Sequence, residues 1–105
     1  PSIPAEMRII TATSMIAEYF NKTGLPVSYL VEDPKDRPIV LKDFRKKFTE
    51  MFSGYLKTKK SASKVGAEQT TMRYLAILQS ELMYHRNNKK ELSEDFAEKV
   101  FSVLF

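Results

Sequence analysis

The sequence predicts a mainly α-helical fold, a small bundle of four to five helices in one domain spanning residues 1–105. Three observations predict this fold. Apolar residues recur at steps of three and four in four separate segments. Most of these segments are bounded by proline, glycine or serine, which commonly start or end helices. The composition, 43% hydrophobic and 29% charged, is typical of a globular chain. A chain of this length can bury one core.

The first predicted helix runs from about residue 4 to residue 22. Pro4 suits the first helical position, and Gly24 is placed to take the left-handed conformation after the last turn. Its apolar stripe consists of Ile9, Ala12, Ile16, Tyr19 and Phe20. Because Ile10 and Met15 lie off this stripe, we expect the helix to be buried on more than one side.

Residues 27–41 fit two structures equally well. Residues 27–31 and 39–41 are short and rich in branched or aromatic side chains, and the sequence EDPKDRP between them is typical of a turn, which favours a short β-hairpin. The prolines disfavour a central strand. A short helix starting at Pro26, followed by an extended loop, explains the same residues.

The stretch LKDFRKKFTEMFSGYLKTKKSASK, residues 41–64, mixes aromatic and cationic side chains. The rings could stack on nucleic-acid bases, or they could be the buried face of a helix. They share one helical face with two aliphatic residues, and exposing that face would cost roughly 1.5–3 kcal/mol per large side chain, so we expect them to be buried. The face comprises Leu41, Phe44, Phe48, Met51, Phe52 and Tyr55 of a helix at 41–56. Residues 57–66 then form a basic connector.

Two further helices complete the predicted bundle. The helix at 67–86 has a wide apolar surface, which is typical of the centre of a bundle. Its stripe consists of Met72, Leu75, Leu78, Leu82 and His85, broadened by Tyr74, Ile77 and Tyr84. Ser93 is predicted to cap a last helix that runs to residue 105, with Glu94 and Asp95 in its first turn. The buried stripe of that helix consists of Phe96, Val100, Phe101 and Leu104.

Positive charge is concentrated in the middle of the chain. Residues 35–64 hold ten basic and three acidic residues, a net charge of +7, whereas the remainder holds seven basic and ten acidic residues, a net charge of −3. Such a segment attracts an anionic partner, either phosphates or acidic protein. The candidate binding residues, called here the basic belt, are Lys42, Arg45, Lys46, Lys57, Lys59, Lys60 and Lys64.

The sequence offers little for catalysis. There is no cysteine for thiol chemistry, the three glycines are too far apart to cradle a nucleotide, and His85 is the only histidine. We expect His85 to be a partly buried, hydrogen-bonded core residue. We expect no catalytic residues, no cofactor, no metal site and no small-molecule substrate. No apolar run is long enough for a membrane span. The lack of cysteine agrees with an intracellular location, without distinguishing cytoplasm from nucleus.

The stretch MIAEYFNKTGLPVS resembles the start of a LisH dimerisation motif, with Ile16, Tyr19, Gly24 and Ser28 at matching positions. The resemblance covers about 15 residues, and the sequence departs from the motif at Tyr29 and Glu32. It implies dimerisation. The sequence thus predicts a non-catalytic helical protein–protein interaction module that self-associates. Nucleic-acid binding through the basic belt is the alternative function.

Overall fold

Four α-helices and two short 3₁₀ turns make up the computed structural model, which describes residues 3–59 and 66–105. The helices are α1 (Ala5–Thr23), α2 (Phe44–Lys57), α3 (Ala67–Asn87) and α4 (Phe96–Leu104). The first 3₁₀ turn is Val27–Leu30 and the second is Ile39–Leu41. No strand occurs in the two described ranges. The predicted mainly α-helical fold is therefore confirmed.

The first helix begins and ends one residue later than predicted, with Pro4 immediately before its first residue, and its buried side is rotated from the predicted stripe. Gly24 adopts φ 69°, and its N–H donates to the Phe20 carbonyl at 3.0 Å, so the left-handed cap is confirmed. The side facing the core consists of Ile9, Thr13, Ala17 and Phe20. The remaining predicted stripe residues, Ala12, Ile16 and Tyr19, are only half-buried.

Residues 27–41 follow the helical alternative and form no hairpin. Pro26 and Pro38 each stand immediately before a 3₁₀ turn, with φ of −57° and −56°. A proline fixes φ near this value and has no N–H to donate to a strand ladder, which explains why turns form here. The turns bury Val27, Leu30 and Leu41 in the core.

The second helix begins at Phe44, three residues later than predicted. Asp43 has φ 65°, a left-handed conformation that interrupts the chain between the second 3₁₀ turn and α2. Leu41 is nevertheless fully buried. The rings of α2 face the core as predicted, and Phe44, Phe48, Phe52 and Tyr55 are all buried.

The buried side of α3 is also rotated relative to the predicted stripe. Leu75, Leu78 and Leu82 are buried as expected, whereas Met72 is exposed and His85 is half-buried. Thr71 and Tyr74 occupy the core in their place. The apolar surface of α3 was predicted to be wide, so the spacing alone could not fix which of its residues lie at the centre.

A buried polar link joins α1 to α3 inside the core. The Thr13 hydroxyl donates to the Ile9 carbonyl at 2.7 Å, and the Tyr74 hydroxyl lies 2.5 Å from Thr13 Oγ1. Because the single hydrogen of Thr13 is used on Ile9, the Tyr74 hydroxyl is the donor to Thr13. Burial of the hydroxyl raises the pKa of Tyr74 to about 12.

The fourth helix begins at Phe96, so the prediction that Ser93 caps it is wrong. Residues 94 and 95 form a turn, in which the Phe96 N–H donates to the Ser93 carbonyl at 3.1 Å. The Ser93 side chain instead hydrogen-bonds the Asp95 carboxylate, which is the main cause of the lowered pKa of Asp95. The buried residues Phe96, Val100 and Phe101 agree with the predicted stripe, and Leu104 is half-buried.

Candidate docking groove

An apolar groove runs between α1 and α2 on the surface of the bundle, with a volume of about 470 Å³. The second 3₁₀ turn closes one part of its wall. The lining residues are Ala12, Met15, Ile16 and Tyr19 of α1, Val40 of the turn, and Phe44, Lys47, Phe48 and Met51 of α2. All of them except Lys47 are apolar or aromatic.

The groove and its edge expose large apolar side chains to water. Met15 and Val40 are 67% and 57% exposed, and the adjacent Ile39 is 85% exposed. Covering one such side chain fully gains roughly 1.5–3 kcal/mol relative to leaving it in water. These apolar side chains are gathered around one groove rather than scattered singly, as in many binding sites.

The groove exists because the apolar surface of α1 is wider than the core requires. Ile9, Thr13, Ala17 and Phe20 face the other helices. The flank of α1 with Ala12, Met15, Ile16 and Tyr19 is left for the groove. The off-stripe residues Ile10 and Met15 were the sequence signal for this surplus, but the predicted burial on a second side of α1 is wrong for Met15, which is 67% exposed. The sequence did not indicate that Val40 lines the groove, because Val40 lies in a segment without apolar periodicity.

The described lysines of the basic belt lie at the surface. Lys42, Lys46 and Lys57 are exposed. Lys46 and Lys57 are eleven residues apart on α2, close to three full turns, so they share its outer face. Glu50 lies on the same face, one turn after Lys46, and divides the positive surface. The outer face of α2 is therefore less uniformly basic than the sequence total indicates.

Two other belt residues make contacts within the fold. The Arg45 guanidinium donates to the Glu32 carbonyl at 2.8 Å and pairs with the Asp33 carboxylate, which Arg37 also contacts. These contacts of the Arg45 guanidinium thus hold the loop before α2. The Lys59 ammonium lies 5.3 Å from the centroid of the Tyr55 ring. Lys60 and Lys64 lie outside the described residues, as does most of the predicted connector.

The rings of α2 do not offer a base-stacking surface. Phe48 is 3% exposed, and its ring centroid lies 6.1 Å from that of Tyr74 on α3. The Tyr55 ring packs edge-on against Phe101 of α4 at 5.5 Å. The rings of α2 are therefore buried in the core, as expected, and are not available to stack on bases.

His85 is packed between aromatic rings. It is half-buried, and its ring centroid lies 5.3 Å from that of Phe96. The predicted partial burial of His85 is confirmed. Its Nδ1 atom is buried and makes no hydrogen bond to the described part of the chain, so the predicted hydrogen bonding is not found at this atom. Among residues 3–59 and 66–105, no three or more histidine or carboxylate side chains are grouped as metal ligands.

Comparison with known proteins adds no relative. No protein-family model, curated protein or solved structure matches this chain. The local LisH resemblance therefore shows no family membership, although Ile16 and Tyr19, two of the residues that carry it, line the groove. In the described ranges, no helix combines the length and the apolar character needed to cross a bilayer.

Proposed function

We propose that this chain is a non-catalytic helical module that binds another protein chain by holding one of its helices in the α1–α2 groove. The observation that carries this proposal is the apolar lining of an open surface groove between two helices. In helix-in-groove recognition, an amphipathic helix inserts its apolar residues into such a groove. The two methionines of the lining, Met15 and Met51, are flexible side chains that adapt to the shape of a partner.

The chemistry of the groove favours a helix over a small molecule. Its volume of about 470 Å³ is also within the range of small-molecule sites. Such sites, however, fix their ligands with a few converging polar groups, and here the polar side-chain groups of the lining are the Lys47 ammonium and the Tyr19 hydroxyl. A row of apolar side chains on a helix needs no further polar partner.

A helical-peptide display selection against the full chain tests the proposal. Selected helices are expected to bind the wild type in the micromolar range and to lose at least tenfold in affinity for Met15→Glu, because the new carboxylate would be buried against apolar groups. Met83→Glu is the matched control, since Met83 is an exposed methionine on α3 that does not line the groove. Failure to select any helix, or binders indifferent to Met15→Glu, would contradict the proposal.

Self-association remains a prediction, and the mass in solution tests it. A self-associating chain has a mass above 12.1 kDa by light scattering across micromolar concentrations. If Met15→Glu then lowers that mass while Met83→Glu does not, the groove is the contact between the two copies. A strict monomer would remove self-association from the proposal and leave binding of another protein.

Nucleic-acid binding is the second candidate function, supported by the exposed belt lysines Lys42, Lys46, Lys57 and Lys59. With the rings in the core, binding would be limited to phosphates, and affinity would fall steeply with salt. Replacing Lys57 and Lys59 by glutamine should lower the salt slope by about one for each phosphate that is no longer neutralised. No retardation of DNA or RNA at low salt would eliminate this candidate.

A further inference from the structure

We infer that the occupant of the α1–α2 groove is an amphipathic helix with acidic residues beside its apolar face, supplied by a different protein. This inference rests on the proposed function and names the chemistry of the partner. It follows from the charges that surround the groove, from the position of the nearby acids, and from what a second copy of the chain could offer.

Both helical walls of the groove carry cations. Lys47 is itself a lining residue on α2. On α1, Arg8 and Lys22 stand seven residues before and seven residues after Met15, and seven residues are close to two helical turns. Both cations therefore lie on the same face of α1 as Met15, and all three side chains are exposed. Cations thus stand at both ends of the α1 wall and on the α2 wall.

The cationic surface continues beyond the second 3₁₀ turn. Val40 lines the groove, while its neighbour Ile39 lines an adjoining depression. The basic side chains of that depression are Lys35, Arg37 and Lys42. Arg37 is engaged with Asp33, but no carboxylate contacts Lys35 or Lys42 within residues 3–59 and 66–105. An occupant leaving the groove past Val40 would therefore meet further positive charge.

Neither acid of α1 lines the groove. Glu6 precedes Met15 by nine residues, which is two and a half turns, so it lies on the opposite side of α1. Glu18 stands one turn before Lys22 and reduces the positive charge at that end of the wall, but it forms no ion pair with Lys22 and lines a separate depression between α1 and the start of α4.

The acids near α2 also lie outside the groove lining. Asp33 and Asp43 line a depression with Arg45 and Lys46. Glu50 is on the outer face of α2 and is not a lining residue. Across the described ranges, the only carboxylates that form ion pairs are those of Asp33 and Asp95. Arg8, Lys22 and Lys47 thus have no carboxylate partner there.

A second copy of the chain is a poor occupant. A two-fold symmetric contact through the groove would bring its cations close to their own copies, and like charges in such contacts are unfavourable. The most acidic apolar segment of the described chain is α4 with the turn before it, but its apolar residues Phe96, Val100 and Phe101 are buried in the core, which leaves Val103 and Phe105 exposed at its end. The apolar stripe beside its acids could reach a neighbouring groove only if its own fold opened.

Two synthetic helical peptides test the inference. They share one apolar face of leucine, phenylalanine and methionine and differ only in flanking residues, all glutamate in one and all lysine in the other. Binding of each labelled peptide to the full chain is measured by fluorescence anisotropy. The glutamate peptide is expected to bind about tenfold tighter at low salt, with an advantage that shrinks as salt screens the charges. Lys47→Glu should narrow that advantage, whereas Arg73→Glu, on the exposed side of α3, should leave it unchanged.

The outcomes separate this inference from the proposed function. Equal binding of both peptides, or tighter binding of the lysine peptide, with Met15→Glu abolishing it, would overturn the acidic partner and keep the groove. A dimer that Met15→Glu dissociates would show that a second copy occupies the groove and would overturn the inference. If the glutamate peptide binds tightly and Met15→Glu does not weaken that binding, the peptide lies outside the groove and the inference is overturned as well. Binding of neither peptide to a monomeric chain would count against the inference and the proposed function together.

Discussion

Replacing Thr13 by valine is expected to destabilise the fold more than replacing Tyr74 by phenylalanine. In the wild type, the Tyr74 hydroxyl donates to Thr13, which donates to the Ile9 carbonyl. Valine has nearly the shape of threonine, so Thr13→Val leaves no cavity but leaves the buried Tyr74 hydroxyl without an acceptor. An unsatisfied buried hydroxyl costs roughly 1–3 kcal/mol of unfolding free energy.

The Tyr74→Phe variant removes the hydroxyl group that needs the acceptor. Thr13 keeps its bond to the Ile9 carbonyl, so no buried donor is stranded, and the expected loss is about 0.5–1.5 kcal/mol. The double variant has neither hydroxyl. It should therefore be more stable than Thr13→Val alone, because the second substitution removes the unsatisfied group.

Urea unfolding followed by circular dichroism at 222 nm measures all four free energies, with a common m-value as the check that the transition is unchanged. The double-mutant cycle should show a non-zero coupling, with phenylalanine at position 74 rescuing valine at position 13. Additive losses, or a Thr13→Val variant as stable as the wild type, would refute the buried Tyr74–Thr13–Ile9 link.

Three further predictions concern the fold. The pKa of Tyr74 is raised to about 12, so the stabilising contribution of its neutral hydroxyl is complete below pH 10 and is lost as pH rises through 12. The difference in unfolding free energy between wild type and Tyr74→Phe, measured by urea titration below pH 10 and again at about pH 12, should therefore change by roughly 2–3 kcal/mol. A difference that stays constant would contradict this prediction. Gly24→Ala should lower the free energy of unfolding by about 1 kcal/mol, because the φ of Gly24 is 69°. Gly54 lies inside α2, and an added Cβ meets no neighbour at either glycine, so Gly54→Ala should instead raise it by about 0.5–1 kcal/mol. Changes of the same sign in both variants would contradict this reasoning. Phe48→Ala should cost about 3–5 kcal/mol in denaturant unfolding, since Phe48 is 3% exposed, and a loss below about 1 kcal/mol would mean that the ring is not in the core.

The sequence predicted the positions of the helices along the chain better than the side of each helix that faces the core. Spacing located all four helices, and Gly24 ended the first one as expected. On α1 and α3, however, apolar residues cover more than one stripe, so the pattern did not decide which side faces the core. Thr13 could not be recognised as a core residue, because its burial depends on Tyr74, which is 61 residues away in the chain.

The groove was only partly predictable, for the same reason. Surplus apolar surface on α1 indicated a further contact, but the second wall depends on how α1 packs against α2. Val40 became a lining residue because Pro38 starts a 3₁₀ turn there and Asp43 interrupts the chain before α2. Arg45 was expected to be a surface cation and instead pairs with Asp33, an interaction that spacing along one helix cannot show.

The methyl groups of the methionines give the most direct measurement of helix binding in the groove. The chain has five methionines. Met15 and Met51 line the groove, while Met72 and Met83 lie on α3 and serve as internal controls. In the ¹³C-methyl-methionine spectrum of the full chain, titration with the glutamate-flanked helix should shift the Met15 and Met51 signals and leave those of Met72 and Met83 in place. Shifts confined to Met72 and Met83, or none at all, would contradict helix docking between α1 and α2.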